Sequence, residues 1–174
     1  MKIAVVGAGP VGRTLAGCLL AAGHEVTLVE INARVRDYLA RHGIVLTGEH
    51  SLSVPVSSLA ASIDELEGLD LEMVFVAVKA PATPLVAGAI ADSVATTATV
   101  VSWQNGIDTE RELSAAIPRD RIVRAVINHG VSLDQDGSVT VTFEHPPHLV
   151  REFVPAGAGR ARVVAECLSG AGLP

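Results

Sequence analysis

Aromatic side chains are nearly missing from this sequence, with one Trp, one Tyr and three Phe in 174 residues. A core without them has to be filled by Ala, Val, Leu and Ile, the usual filling of an α/β sandwich whose sheet is buried on both faces. Cysteine is as sparse. Cys18 and Cys167 fall in separate predicted helices with no paired spacing, which argues against a disulfide, redox or metal role and reads as reduced core thiols in a cytoplasmic protein. A basic field is also lacking: the formal charge is −6, whereas nucleic acid and anionic membrane both require positive potential. No apolar run approaches bilayer length, and Ile3 to Val6 is too short for the apolar region of a signal peptide. A small-molecule role is what these absences leave, on a chain long enough to bury about two thirds of its unfolded surface as one domain.

Several catalytic signatures are missing as well. The chain has no Ser nucleophile elbow, no Walker glycine-lysine loop and no Cys-His pair at a telling spacing. His145-Pro146-Pro147-His148 places two imidazoles in a proline-rich stretch with no convergent acid nearby, so it reads as an exposed loop and no metal site is expected. His129 follows a predicted strand on the ligand edge, and reads equally well as an ordinary hydrogen-bonded loop histidine.

What the sequence does contain is alternation. Lys2 to Val6 is a short apolar run with glycine behind it, Pro10 to Ala22 has helical spacing closed by Gly23, Glu25 to Val29 is a strand, and Asn32 to Arg41 is a helix closed by Gly43. This is a βαβ unit of about thirty residues, the length expected of a right-handed crossover. Ile44 to Thr47 and Leu52 to Val56 form a small strand pair. Strands at Met73 to Val78, Thr99 to Trp103 and Arg121 to Ile127 then alternate with helices at Pro84 to Val94 and Thr109 to Ala116, the pattern of a doubly wound parallel sheet. Ser138 to Phe143 alternates Val with Ser or Thr behind the hairpin signal Asp136-Gly137, which predicts antiparallel edge strands near the C-terminus. Arg160 to Leu168 is a last helix, and Pro146-Pro147 and Ala156-Gly157-Ala158-Gly159 are loops.

The first turn reads Gly7-Ala8-Gly9-Pro10-Val11-Gly12, follows the opening strand directly and starts a helix. In the dinucleotide fingerprint the first glycine permits the turn, the second lets backbone N–H groups approach a pyrophosphate, and the third lets the helix pack on the sheet. The helix N-terminus supplies donors and partial positive charge. Glu30 ends the second strand eighteen positions past Gly12. Its carboxylate can accept from both adenosine ribose hydroxyls and would repel a 2′-phosphate, which favours NAD; capping the next helix is the other reading, and Arg34 or Arg36 could swing toward a phosphate. In a doubly wound sheet ligands sit beyond the carboxyl ends of the strands, which selects Lys79 and Gln104, Asn105 and Gly106 as further cofactor contacts. Lys79 reads equally as a solvated lysine leaving the core. The strand Val100 to Trp103 turns into Trp103-Gln104-Asn105-Gly106, polar and unsuited to a core, as expected where a strand arrives at a crevice.

The chain resembles the N-terminal domain of the ketopantoate reductase (2-dehydropantoate 2-reductase) family over nearly its whole length, in KIAVVGAGPVG, VFVAVKA around Lys79, SWQNGIDTEREL around Asn105, RIVRAVINHGVSL and RARVVAECLSGAGLP. The resemblance implies a Rossmann-type domain binding NAD(H) or NADP(H), with Lys79 and Asn105 lining the cleft between cofactor and a small 2-keto acid. It also implies reduction of ketopantoate to pantoate on the route to pantothenate and coenzyme A. The family's NADP users carry a basic residue where this chain has Glu30-Ile31-Asn32, and the family's edge hairpin reads FEHPPHLVREF here. The catalytic lysine and substrate-binding acid of the family belong to a helical C-terminal domain, and the chain ends at Pro174 before it. We therefore expect residues 1–174 to be one dinucleotide-binding domain with no catalytic residue of its own, cut from a longer protein or left by a shortened gene. An apolar docking face that favours a homodimer follows from the same expectation. The alternatives are a non-catalytic dinucleotide-binding or redox-sensing module paired with a separate helical chain, and a reductase of another 2-keto acid.

Overall fold

The computed structural model describes residues 1–157 and 159–174, so Ala158 of the expected Ala156–Gly159 loop lies outside the described residues. Four parallel strands alternate with helices in the first two thirds of the chain: β1 (Lys2–Val6), α1 (Pro10–Ala21), β2 (Glu25–Val29), α2 (Ala33–His42), and, after the short strands β3 (Ile44–Gly48), β4 (Leu52–Val54) and β5 (Ser58–Ala60), β6 (Met73–Val76), α3 (Thr83–Ser93) and β7 (Thr99–Ser102). They are followed by α4 (Thr109–Leu113), β8 (Ile122–Val126), β9 (His129–Leu133), β10 (Val139–Glu144), β11 (Leu149–Glu152) and α5 (Arg160–Gly170). The main sheet has seven strands in the order β11-β8-β7-β6-β1-β2-β5, all parallel apart from β11. This is the expected doubly wound α/β architecture with an antiparallel edge near the C-terminus.

Alternation along the central strands sorts side chains onto two covered faces. Ile3, Val5, Met73, Phe75, Val101 and Trp103 pack on one side with α1 and α5. Ala4, Val6, Val74, Val76 and Val100 pack on the other with Val86 and Ile90 of α3 and Leu113 of α4. The local signals that start and stop the helices are visible. Pro10 occupies the first turn of α1, where its missing N–H costs nothing. Asn32 caps α2 by accepting from the Arg34 N–H at 3.0 Å, and Gly43 closes it at φ +69°.

The chain departs from the sequence reading in three places. The strand over Ser138–Phe143 does not join the main sheet. It is β10, which pairs antiparallel with β9 and parallel with β3 in a separate four-stranded sheet, β4-β3-β10-β9, laid on the outer side of α1. Polar Thr side chains on one face and Val139 and Val141 on the other suit a one-sided sheet. The true antiparallel edge is β11, which follows the expected Pro146-Pro147 loop, where Val150 alternates with exposed Leu149 and Arg151. Strand β5 was not expected: the three residues Ser58, Leu59 and Ala60 give too short a pattern to register. Cys18 and Cys167 are buried and free as expected, and burial, with the Glu144 charge adding to it, pushes the Cys18 thiol up to about 12.

Helix α1 is therefore squeezed between two sheets, and glycines mark its contacts. A Cβ at Gly12 would lie 1.9 Å from the Gly7 carbonyl oxygen, and one at Gly17 would lie 3.0 Å from Ile44 on β3. We expect Gly12→Ala to destabilise the fold by about 1–3 kcal/mol, because overlap with a backbone carbonyl outweighs the gain of roughly 1 kcal/mol in helix propensity. Equal or greater denaturant resistance of the variant would refute this.

Candidate functional site

The carboxyl ends of β1, β2, β6 and β7 meet on one edge, and the ladder continues a residue beyond each strand. The N–H of Gly7 donates to the Val29 carbonyl, that of Ala77 to Val6 and that of Trp103 to Val76. These bonds hold the glycine turn, the Ala77–Lys79 segment and the Trp103–Gly106 loop side by side. Gly7 takes φ +105° with Ala77 and Val78 pressed against it, leaving no room or conformation for a side chain. Gly9 differs: its φ is ordinary, and a Cβ there would meet no atom within 4 Å. Its bareness serves no packing purpose and leaves open space beside the start of α1. Pro10 follows, so the first-turn donors without a carbonyl to reach are the N–H groups of Val11 and Gly12. Ala8 is buried, and its N–H is taken by Glu30 Oε2 at 3.2 Å.

Glu30 is the hub of that corner. Its other oxygen accepts from the Asn32 N–H at 2.8 Å, so it supports the entry to α2 while Asn32 itself provides the cap. The two readings of Glu30 are compatible, because each carboxylate oxygen keeps a second lone pair for a donor from the crevice. Arg36 is not free to swing: its Nη1 donates to the Glu30 backbone carbonyl at 2.7 Å. Arg34 is exposed and lies outside the walls of the crevice.

Two cavities flank the turn. The larger, about 580 Å³, lies over the ends of β1 and β2 and is lined by Gly7, Ala8, Glu30 and Lys79, with Ile63 and Leu85 as apolar walls. The smaller, about 260 Å³, is lined by Pro10, Val11, Lys79, Trp103, Gln104 and Asn105. Gly9, Ala77, Val78 and Lys79 belong to both, so the two form one crevice divided at the β1/β6 boundary. This boundary is the topological switch point of the sheet. Lys79, one of only two lysines in the sequence, is exposed there and forms no ion pair among the described residues.

Gln104 and Asn105 part company. Gln104 is 4 % exposed, its amide donates to the Val78 carbonyl at 2.8 Å and to the Thr83 hydroxyl at 2.9 Å, and Ser102 donates to its oxygen at 3.3 Å. Both amide hydrogens are used in tying β7 to the end of β6 and the start of α3. With Trp103 fully buried as well, the stretch expected to be unsuited to a core is half inside it. Asn105 is exposed and its amide has no hydrogen-bond partner among the described residues. Gly106 adopts φ +132°, its carbonyl accepts from Arg124 Nη2 at 2.7 Å, and Arg124 is in turn paired with Glu110. Asp108, just beyond, is the one non-glycine residue in the left-handed region among the described residues.

Sequence reasoning missed the far wall of the larger cavity, Ser62, Ile63 and Asp64 after β5 and Leu85 and Ala89 on α3. Leu85 is 81 % exposed beside the buried Val86 and Ile90, so its apolar character off the core face was the available signal. The expected exposed loop around His148 is also corrected. His148 is buried, His129 lies on strand β9 rather than in a loop with its ring nitrogens free of hydrogen bonds among the described residues, and Glu144 supplies the convergent acid.

No curated protein matches the sequence. Among solved structures, a PanE/ApbA family ketopantoate reductase from Ralstonia eutropha JMP134 is 26 % identical with a TM-score of 0.81, over 100 % of this chain and 55 % of that one. A 2-dehydropantoate 2-reductase from Geobacter metallireducens GS-15 is 22 % identical with a TM-score of 0.87, over 99 % and 56 %. A D-mandelate dehydrogenase determined with NADH and anilino(oxo)acetate is 22 % identical with a TM-score of 0.86, over 99 % and 55 %. At these identities the latter two show the fold. The chain spans about half the length of these structures. No helix is long and apolar enough to cross a membrane among the described residues. Residues 3–149 match the family described as ketopantoate reductase PanE/ApbA, and with this crevice the chain belongs to that family of NAD(P)-dependent oxidoreductases.

Proposed function

We propose that residues 1–174 are the dinucleotide-binding half of an NADH-dependent reductase of a small 2-keto acid, with ketopantoate as the substrate that the family favours. The observation carrying this reading is the divided crevice at the switch point, with Gly9 bare toward it, Glu30 at one end, and Lys79 and Asn105 at the other. The adenosine half fits the larger cavity between Ile63 and Leu85, with its ribose on Glu30. The pyrophosphate fits against the bare face of Gly9 and the free N–H groups of Val11 and Gly12. The bound nicotinamide would supply a hydride to the ketone carbon. Lys79, the one titratable group lining the smaller cavity among the described residues, then serves to attract the keto acid's carboxylate, and Asn105 to orient its oxygen.

Charge supports NADH as the cofactor. The larger cavity carries two carboxylates, Glu30 and Asp64, against the single cation Lys79 at its far side, and Arg36 is committed to a backbone carbonyl. A 2′-phosphate placed at Glu30 would face like charge with no arginine to receive it. We expect NADH to bind at least about tenfold more tightly than NADPH, equivalent to about 1.4 kcal/mol, in a fluorescence titration at fixed salt. Equal affinities would remove the basis of the preference.

Two substitutions separate ligand contact from packing. Gly9→Ala should change unfolding free energy by less than about 1 kcal/mol while lowering NADH affinity, since its methyl enters ligand space and touches no protein atom. Asn105→Ala should leave the melting temperature unchanged, because the amide has no internal partner to lose, and weaken NADH binding by roughly 0.5–1.5 kcal/mol. Loss of stability with unaltered binding in either variant would make these turn residues and nothing more. The family resemblance implies a proton donor for the forming alkoxide in a helical half, so the 174 residues alone should show no ketopantoate turnover above a blank without protein. Steady turnover would return the proton donor to this chain, with Lys79 as the group to test.

A further inference from the structure

The exposed amide of Asn105 stands on a loop that has little of its own to hold it in one conformation. Ile107 is 90 % exposed, Gly106 takes φ +132°, and Asp108 sits in the left-handed region. Both ends of the loop are fixed inside the fold. Gln104 is held by Val78 and Thr83, and the Thr109 hydroxyl lies 2.6 Å from that of Ser102, with both side chains buried. Between those ends one side chain reaches in: Arg124 Nη2 donates to the Gly106 carbonyl at 2.7 Å, and the backbone of residues 105–107 makes no other hydrogen bond among the described residues.

Arg124 is itself aimed by the sheet. Val123 and Ala125 on β8 point to the face covered by α1 and α5, so alternation turns Arg124, with Ile122, to the face covered by α3 and α4. There Nη1 meets the carboxylate of Glu110 on α4, while Nε donates to the Ala125 carbonyl at 3.2 Å. The Arg124 and Glu110 side chains are only 23 % and 14 % exposed, whereas the Arg111–Asp108 pair of the same loop is 69 % and 50 % exposed. The first pair is shielded from solvent and fixes the plane of the guanidinium; the second is of the surface kind that adds little.

Glycine has the widest choice of backbone conformation, so the peptide groups on either side of Gly106 have no set orientation unless one of them is tied. Once Glu110 sets the plane of the rigid guanidinium fork, the direction of Nη2 is set as well. The Gly106 carbonyl it holds then fixes the backbone next to Asn105, and with it the direction of the Asn105 amide. Removing Arg124 would leave the anchors at Gln104 and Thr109 in place and free only the middle of the loop.

We propose that Arg124 is a positioning residue: clamped by Glu110, it holds the Gly106 carbonyl so that the Asn105 amide stays turned to the smaller cavity, which Asn105 lines. The inference rests on the dinucleotide reading of the crevice, in which that cavity takes the nicotinamide end and the keto acid. Arg124 lines neither cavity, so it acts on a ligand through Asn105 alone. Its influence stops at the smaller cavity, because the larger one, over β1 and β2, has no wall from this loop.

Calorimetric titration of the 174-residue protein with NADH and with ADP tests this, since ADP carries the adenosine and pyrophosphate but ends before the nicotinamide ribose. Arg124→Gln should weaken NADH binding by roughly two- to tenfold, the worth of about one hydrogen bond, and leave ADP affinity unchanged. Asn105→Ala should give the same selective loss. The double variant should lose no more than the larger single loss, because a residue acting through Asn105 has nothing to position once the amide is gone. Arg111→Gln, which removes the exposed pair with Asp108, should alter neither affinity. Circular dichroism establishes that each variant is folded. Glu110→Gln, which keeps the side-chain volume and removes the charge that aims the guanidinium, should show the same selective pattern and takes the place of Arg124→Gln in the cycle if that variant does not fold. Unchanged NADH binding, an equal fall in ADP affinity, losses that multiply in the double variant, or an effect of Arg111→Gln as large as that of Arg124→Gln would overturn the clamp and leave the dinucleotide reading intact. Wild-type protein that bound neither nucleotide would overturn that reading, and the clamp with it.

Discussion

Helix α1 lies with Gly12 against the carbonyl of Gly7, at a distance that admits no side chain, and the rest of the molecule is arranged around that approach. Its inner side covers the main sheet and its outer side carries the small one. Arg13, the next residue, is buried between them: Nε donates to the Ala8 carbonyl at 2.8 Å, Nη1 to Gly137 in the β9–β10 turn at 2.9 Å, and the guanidinium lies over the Tyr38 ring. One arginine thus bonds the glycine turn to the hairpin of the other sheet. Moving the helix outward by the width of a methyl group would open the crevice and displace the small sheet together, so cofactor geometry and the packing of the second sheet are not independent properties.

The first half of the chain was readable because each of its elements is local. Apolar runs of strand length, the glycine turn, Asn32 as a cap and Gly43 as a stop all act within a few residues, and they placed β1, α1, β2 and α2 close to their observed bounds. Periodicity could also tell that Ser138–Phe143 is a strand, but not which sheet receives it. That choice depends on β3, more than ninety positions earlier, and on the outer face of α1 having Gly17 where Ile44 and Leu52 need room. The same limit explains the histidines. His50, His129, Glu144 and His148 come from three separate segments, and spacing along the chain showed only the His145–His148 pair, of which one member turned inward.

At the crevice, residue type alone did not distinguish groups that hold the fold from groups that face a ligand. Gln104 and Asn105 are adjacent amides, one exhausted by Val78, Thr83 and Ser102 and the other unengaged. Arg36 and Lys79 are both cations near the turn, one consumed by the Glu30 carbonyl and the other unpaired among the described residues. Hydrogen-bond accounting separates them where composition cannot, because a donor already satisfied by the backbone gains little by turning to a ligand.

The wall shared by the two cavities has a consequence for how tightly a two-part ligand can be held. Gly9, Ala77, Val78 and Lys79 border both spaces, so a molecule anchored in the larger one presents its other end to the smaller across only the width of this saddle. The second contact is then intramolecular and benefits from a high effective concentration set by the tether. Weak interactions in the small cavity, each useless to a free fragment, become sufficient when the other half is seated, and a nucleotide shortened at the saddle would lose far more than the contacts removed.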